Sequence, residues 1–219
     1  MLIYAFRNDI ISGHFYLPKI RKDGITMKNK KLLALVEGAV MVALATVLCF
    51  IRVFRFPWGG SITLLSMLPI VIFSIRRGVK MGLLASFVFA LIQFLQGVMD
   101  GLFGWGITGL MLVMCILFDY IIAFTVLGLA GVFGNKGLGN MVGGTVLAIF
   151  LRYVCHVISG AAVWHSIGNI WEAFYTENEW IYSIVYNACY MLPELILTVA
   201  VTIVLLKLPQ TKQFVAPKA

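Results

Sequence analysis

Long apolar runs separated by short polar connections are the feature of this sequence that most restricts its fold. The runs cover residues 32–53, 62–75, 81–98, 108–132, 141–163 and 180–206. A membrane-spanning helix needs about 20 mostly apolar residues. Only the second run is clearly short, and we expect it to be tilted, broken at Pro69 or extended at its ends. Because the runs are continuous rather than alternating in polarity, they exclude a β-barrel. They predict an all-α integral membrane protein, a bundle of six transmembrane helices.

The composition supports this class and excludes others. Of the 219 residues, 61% are hydrophobic and 12% are charged, and the mean hydropathy is +0.98. Soluble domains have roughly 25% charged residues, and disordered chains are poor in apolar residues. The net charge of +8 does not indicate a nucleic-acid partner, because the basic residues are scattered between the apolar runs rather than gathered on one face.

The cysteines predict neither disulfides nor a metal centre. All of them lie inside apolar runs, at Cys49, Cys115, Cys155 and Cys189. Their spacing fits neither a disulfide framework nor a Cys/His cluster. The sequence also contains no Walker phosphate loop and no nucleophile-elbow motif. We therefore expect no metal and no cofactor.

The distribution of lysine and arginine predicts the orientation, since cytoplasmic loops are enriched in both. After residue 26, one set of connections and the C-terminal segment contain Lys28, Lys30, Lys31, Arg76, Arg77, Lys80, Lys136, Lys207, Lys212 and Lys218. The opposite set contains Arg52 and Arg55. Both termini are therefore predicted to be cytoplasmic. The acidic loop with Glu172, Glu177 and Glu179 is predicted to face outward.

Residues 1–26 differ from the rest of the chain. They mix charged and polar residues and lack the apolar core of 7–15 residues found in a signal peptide. Met27 is followed directly by a basic cluster and the first apolar run. We interpret residues 1–26 as an N-terminal leader that is non-native or dispensable. Residues 27–219 are predicted to form a single six-helix membrane domain.

Three ionisable residues lie inside the predicted spans: Asp119, Arg152 and Glu194. At about 1.5 Å of helical rise per residue, each is roughly 16–20 Å from the outer end of its span, near mid-membrane. Ionisable groups at that depth indicate a functional site by default. Two interpretations stay open for Arg152 and Glu194, which either form a structural ion pair between helices or belong to a site. Asp119 could share that arrangement or face a ligand.

Two spans present polar faces. The fifth has, at intervals of four residues, Arg152, His156, Gly160 and, at the outer mouth, Trp164. The sixth has, on one face and near its outer end, Ser183, Asn187, Tyr190, Glu194 and Tyr182. Singly, such residues are usually core or interfacial-belt residues. Together with Tyr120 and Trp58, they suit a cavity for a flat cationic heteroaromatic ligand, because aromatic faces attract a cation and a carboxylate balances its charge.

Three segments resemble the signature of a known family. They are residues 119–124 (DYIIAF) with 127–131 (LGLAG), residues 152–160 (RYVCHVISG) with Trp164, and residues 186–194 (YNACYMLPE). They are similar to motifs of the thiamine-specific ThiT (YuaJ) family, the substrate-binding S components of energy-coupling factor (ECF) vitamin transporters. The resemblance covers about residues 27–208.

The resemblance implies a six-helix bundle with a high-affinity thiamine pocket near the outer face. The pocket residues that it implies are Trp58, Asp119, Tyr120, His156, Gly160, Trp164, Tyr182 and Asn187. Some members of the family have Glu at the position of Asp119. The protein is then a multi-pass protein of the bacterial plasma membrane, with thiamine as its transported ligand and no enzymatic activity.

The resemblance also implies partners. S components dock on a transmembrane coupling subunit through small residues spaced four apart, which here are Ala39 and Ala43 on the first span. Two ATPase subunits supply the energy. The alternatives are an S component for a thiamine precursor, or a stand-alone proton-coupled carrier in which Asp119, Arg152 and Glu194 relay protons. An intramembrane hydrolase using Ser159 and His156 is disfavoured, because no oxyanion motif accompanies them.

Overall fold

A computed structural model describes residues 27–57, 59–172 and 174–208. Within this range the chain forms six helices: α1 Met27–Phe50, α2 Leu68–Arg77, α3 Val79–Met99, α4 Gly109–Gly131, α5 Leu138–Ala162 and α6 Glu179–Lys207. Five of them, all except α2, are long and apolar enough to cross a membrane. The predicted all-α membrane bundle is therefore confirmed. The predicted leader, residues 1–26, lies outside the described residues.

The first connection differs from the prediction. We expected the first span to reach residue 53 and the second to begin at residue 62. Instead α1 ends at Phe50, and a two-stranded antiparallel hairpin follows, with β1 Arg52–Arg55 paired to β2 Ser61–Thr63. A short apolar run does not by itself distinguish strand from helix, which explains the error at both boundaries.

Helix α2 is only ten residues long, or about 15 Å at the usual helical rise, so it does not match the thickness of a bilayer. Pro69 lies in its first turn, where the missing N–H needs no intrahelical partner. Pro69 therefore begins the helix rather than breaking it. Gly78, with φ of +81°, then separates α2 from α3, a backbone conformation that glycine adopts without strain.

A buried charge cluster joins α1 to the end of α2. Glu37 on α1 forms an ion pair with Arg76 at 3.0 Å and accepts a hydrogen bond from Nε of Arg77 at 2.9 Å. All three side chains are mostly buried. Because cations at a helix C-terminus also interact favourably with the helix dipole, the arginines stabilise this end of α2 as well as the contact with α1.

Helix α4 is irregular along its length. It begins as an α-helix, widens into a π-helical turn at Ile116–Ile121 and ends as a 3-10 helix at Val126–Gly131. Its last turns pack tightly against α3 and α5. A Cβ at Gly128 would overlap the backbone of Leu83 on α3, and one at Gly144 on α5 would overlap the carbonyl of Ala130.

A second hairpin lies between α5 and α6. Strands β3, Gly168–Trp171, and β4, Phe174–Thr176, pair antiparallel. The Asn178 side chain then accepts from the backbone N–H groups of Trp180 and Ile181, each at 3.0 Å. Asn178 is therefore the N-cap of α6 and fixes its first turn. The tyrosines of the candidate site lie in the turns that come next along α6.

Candidate functional site

One cavity of about 380 Å³ lies among these elements. Its walls come from the last turn of α1, the β1–β2 hairpin, the C-terminal halves of α3 and α5, the π-helical turn of α4 and the N-terminal half of α6. Ligand pockets usually measure about 300–1,000 Å³ and combine apolar walls with a few polar groups. This cavity has the size and the mixed lining expected of a small-molecule site.

The Asp119 carboxylate in the wall is held by several hydrogen bonds. It lies in the π-helical turn of α4, a kind of helix irregularity that is frequent at functional sites. Its carboxylate accepts from Ser159 Oγ at 2.6 Å and from Trp164 Nε1 at 3.0 Å, and Nδ1 of His156 lies 3.1 Å from its other oxygen. Three side chains of α5 and its C-terminal end therefore fix the orientation of this carboxylate.

The contacts of His156 define its tautomer. Nε of Arg152 donates to Nε2 of His156 at 3.3 Å, so Nε2 acts as an acceptor. Nδ1, facing Asp119, then bears the proton that it donates to the carboxylate. Arg152, His156 and Asp119 thus form a continuous chain of hydrogen bonds along the cavity wall.

Aromatic residues flank the carboxylate. The rings of Trp164 and Trp105 meet edge to face with their centroids 5.5 Å apart. Tyr120 packs on Phe94 at 5.9 Å, and a Cβ at Gly97 would overlap the Tyr120 ring. Glycine at position 97 is therefore what lets the Tyr120 ring approach α3.

Helix α6 contributes stacked tyrosines and one amide. The rings of Tyr182 and Tyr186 lie 5.8 Å apart at an angle of 14°. Asn187 donates to the carbonyl of Ser183 at 2.8 Å and to its hydroxyl at 3.0 Å, and it accepts from the hydroxyl of Tyr190. A Cβ at Gly160 would overlap the Ser183 hydroxyl, so Gly160 allows α5 and α6 to approach closely beside the cavity.

The direct ion pair that was one of the two interpretations for Arg152 and Glu194 is not formed in the described structure. The guanidinium of Arg152 lies 4.1 Å over the ring of Phe124 and donates to His156. Glu194 instead accepts from the hydroxyl of Thr63 at 2.7 Å and from its backbone N–H. Both Thr63 groups bind Oε1 of Glu194, and Oε2 has no hydrogen-bond partner among the described residues. Both charged groups still line the same cavity.

The structure brings together seven of the eight residues predicted for the pocket. They are Asp119, Tyr120, His156, Gly160, Trp164, Tyr182 and Asn187. The eighth, Trp58, lies outside the described residues, but its neighbour Gly59 lines the cavity and accepts from the hydroxyl of Tyr186 at 2.8 Å. The predicted docking residues Ala39 and Ala43 are both exposed on α1 and do not line the cavity.

Several lining residues were not predicted. Gln93 and Gln96 of α3 both line the cavity, and two amides three residues apart in an apolar run are a signal that could have identified them. Arg52 of β1 and Asp100 at the end of α3 form an ion pair at 2.9 Å on the rim, which no spacing in the sequence indicates. No group of three or more His, Cys, Asp or Glu side chains in the described ranges could hold a metal ion.

Comparisons with known proteins agree with this architecture. The family model described as thiamine transporter protein (Thia_YuaJ) matches residues 35–214. The thiamine transporter ThiT of Bacillus subtilis is 35% identical over 184 residues, which is 78% of this chain and 88% of that protein. The ThiT of Lacticaseibacillus paracasei is 27% identical over 196 residues, covering 82% and 89%.

A solved structure shares the fold. ThiT from Listeria monocytogenes superimposes with a TM-score of 0.67 at 24% identity, covering 85% of this chain and 99% of that one. The relatives are transporters rather than enzymes, and the long apolar helices make this chain a multi-pass membrane protein. It belongs to the thiamine transporter protein (YuaJ) family.

Proposed function

We propose that this chain is the thiamine-binding S component of an ECF-type uptake transporter, capturing thiamine at the outer face without changing it chemically. The observation that supports this most directly is the Asp119 carboxylate, oriented by Ser159, His156 and Trp164 in a cavity with aromatic walls. The names of the relatives, thiamine transporters, agree with this ligand.

Thiamine matches the chemistry of the cavity. It joins a thiazolium cation to an aminopyrimidine, and both rings are flat. An aromatic face stabilises a cation that lies over it, and a carboxylate adds charge-assisted attraction. Trp164, Tyr120 and the stacked Tyr182–Tyr186 pair supply the rings, while Asp119 supplies the charge.

The orientation follows from the basic residues. Arg76 and Arg77 end α2, Lys80 begins α3 and Lys136 lies between α4 and α5. The cavity is lined instead by the hairpin after α1 and by the last turns of α3 and α5. Since cytoplasmic connections are enriched in Lys and Arg, we propose that the cavity faces outward and that both termini are cytoplasmic.

Energy would then come from partners. The sequence has no phosphate-binding loop for ATP. An exposed pair of small residues on α1, Ala39 and Ala43, permits the close helix approach that membrane-embedded interfaces need. In this proposal, α1 docks on a transmembrane coupling subunit, and two ATPase subunits drive uptake through it.

Thiamine binding is the first test. The purified chain should retain thiamine from the host or bind it on titration, with quenching of the tryptophan fluorescence as a ring stacks beside Trp164. Calorimetry with the aminopyrimidine precursor alone distinguishes thiamine from a precursor as the ligand. The absence of both fluorescence quenching and binding heat at micromolar thiamine would refute the proposal.

Transport is the second test. Liposomes that contain this chain together with coupling and ATPase subunits should accumulate thiamine only when ATP is supplied. Liposomes with this chain alone and an imposed proton gradient should not. Accumulation by the chain alone would instead establish a proton-coupled carrier.

A further inference from the structure

We propose that Glu37 is a positioning residue for energy coupling: its ion pairs with Arg76 and Arg77 fix the rotation of α1 about its own axis. This inference rests on the proposed function, in which α1 docks on a coupling subunit. Between residues 32 and 50, Glu37 is the only charged residue of α1. It lies seven residues inside the apolar span that begins at Lys30, a depth of about 10 Å. A carboxylate at that depth needs a partner within the protein.

Helix α2 supplies the partners of Glu37. Arg76 lies 3.0 Å from one carboxylate oxygen, and Nε of Arg77 donates to the other at 2.9 Å. All three side chains are between 8% and 14% exposed, so the charges are largely shielded from lipid. Directly beside them, a Cβ at Gly38 would lie 3.0 Å from the ring of Phe73 on α2. The ion pairs therefore lie at a point where α1 and α2 approach closely.

Packing of apolar side chains does not by itself select this rotation of α1. The inward face includes the small residues Ala34 and Ala45, which are buried. The outward face includes the larger apolar residues Val36 and Leu44, which are 53% and 47% exposed. Because lipid tails are as apolar as leucine, exchanging these faces changes the hydrophobic free energy little. Turning Glu37 toward lipid is costly, so its ion pairs determine which face points inward.

The rotation fixed by Glu37 sets the face that is offered to a partner. At 3.6 residues per turn, successive side chains are ~100° apart, so Ala39 and Ala43 point roughly 200° and 240° away from Glu37. Both alanines are exposed. A carboxylate held inward by α2 therefore holds the two small residues outward, where the backbone of a partner helix can approach closely. Without the ion pairs, α1 can turn its larger apolar side chains to that position, and the close approach is lost.

The test removes the ion pairs without leaving a charge unpaired. In the triple variant Glu37→Met, Arg76→Met and Arg77→Met, apolar side chains replace the whole cluster, an exchange that is often neutral for stability. In the exchange variant Glu37→Arg with Arg77→Glu, the partners change places. The single variant Glu37→Arg leaves three cations together. The matched control is Glu179→Gln, which removes an exposed carboxylate beside His165 at the start of α6.

Each purified variant is titrated with thiamine by calorimetry. It is then titrated with the purified coupling and ATPase subunits in detergent, where the direction of membrane insertion has no influence. The triple variant should bind thiamine within about twofold of wild type, because none of the three residues lines the cavity and no charge is left unpaired. It should bind the coupling complex at least ~10-fold more weakly, since nothing then selects the rotation of α1.

The other variants identify the ion pairs as the cause. Glu37→Arg should also bind the coupling complex at least ~10-fold more weakly, because like charges replace the pairs. The exchange variant should recover to within about threefold of wild type, the non-additivity expected of residues in direct contact. Glu179→Gln should match wild type in both titrations.

Three outcomes would overturn the inference. Wild-type docking by the triple variant would show that packing alone positions α1. An equal loss of thiamine affinity and docking would assign the cluster to the stability of the bundle. Weak docking by the exchange variant would show that the Glu37 carboxylate acts on the partner itself. If the wild-type chain binds thiamine but no coupling complex, the proposed function fails and the inference fails with it, whereas wild-type docking with unaltered variants refutes only the role of Glu37.

Discussion

At the residue scale, the chemistry of the cavity depends on a carboxylate that meets only donors. Oδ2 of Asp119 accepts from Ser159 and Trp164, and its other oxygen faces His156. In Asp119→Asn, one oxygen becomes an NH2 group that must face another donor, and the negative charge is lost. We expect thiamine affinity to fall by about 100-fold, because the charge-assisted attraction is lost and a buried N–H donor is left without a partner. Isothermal titration calorimetry measures the thiamine affinity of wild type and of Asp119→Asn.

Two further variants make this prediction specific. Asp119→Glu keeps the charge and should bind within about tenfold of wild type. Asp100→Asn removes a carboxylate from the rim, where Asp100 pairs with Arg52, and should have little effect, because exposed ion pairs contribute about 0–1 kcal/mol. Wild-type affinity in Asp119→Asn would show that the carboxylate orients α5 rather than the ligand.

Trp164 allows a second test against a matched tryptophan. Trp164 lines the cavity and contacts both Trp105 and Asp119. Trp180 lies in the first turn of α6, is 51% exposed and does not line the cavity. Trp164→Ala should weaken thiamine binding at least ~10-fold through the loss of stacking and cation–π attraction, and it should abolish most of the fluorescence quenching. Trp180→Ala should change neither, and an equal effect of both variants would contradict the assignment.

Helical periodicity could identify the part of the site whose residues repeat along one helix. Arg152, His156 and Gly160 recur at intervals of four residues, so periodicity alone puts them on one face. Thr63 and Glu194 are 131 positions apart, and no local pattern indicates their contact. For the same reason, the pairing of Glu194 with the hairpin, rather than with Arg152, required the tertiary structure.

At the element scale, Thr63 joins the β1–β2 hairpin to α6 through two hydrogen bonds. Thr63 at the end of β2 gives both its hydroxyl and its backbone N–H to Glu194. The same hairpin lines the cavity, and the carbonyl of Gly59 accepts from the hydroxyl of Tyr186. We expect Thr63→Val, which keeps the shape but loses the hydroxyl donor, to raise the dissociation rate of thiamine by about 3- to 10-fold, the equivalent of one buried hydrogen bond.

Stopped-flow fluorescence measures that rate. The matched control is Thr46→Val on α1, because the hydroxyl of Thr46 donates to the carbonyl of Val42 in its own helix and not to a neighbouring element. Equal dissociation rates in wild type and Thr63→Val would show that the hydroxyl does not hold the hairpin closed.

The elements themselves were predictable to different degrees. Helices α3, α5 and α6 match the predicted spans to within three residues at each end, since long apolar runs between polar turns leave few alternatives. The segment from residue 51 to 67 was not predictable in the same way. Apolar residues such as Val53 and Phe54 extend the first run, yet they form an exposed strand, because pairing with β2 supplies their backbone hydrogen bonds.

At the scale of the whole molecule, the residues proposed to bind the ligand and those proposed to dock on a partner lie on different surfaces. The cavity is formed by α3 to α6, the hairpin and Cys49 in the last turn of α1. Ala39 and Ala43 are exposed on α1, beside the exposed apolar residues Leu35, Val36 and Val40. This separation is expected if one surface captures the ligand and the other receives energy from partners, and it allows the two activities to be tested independently.

Ala43→Trp provides that test, with Ala39→Trp as its companion. A large ring on this face keeps neighbouring helices apart, because membrane interfaces with small residues depend on close backbone approach. Thiamine affinity should stay within about twofold of wild type, while ATP-dependent uptake in liposomes with the coupling and ATPase subunits should fall by at least ~10-fold. Val40→Trp, at a neighbouring exposed position of α1, should retain more uptake than either alanine variant. Full uptake by both alanine variants would exclude this face as the docking surface, and a parallel loss of binding would show that α1 supports the cavity instead.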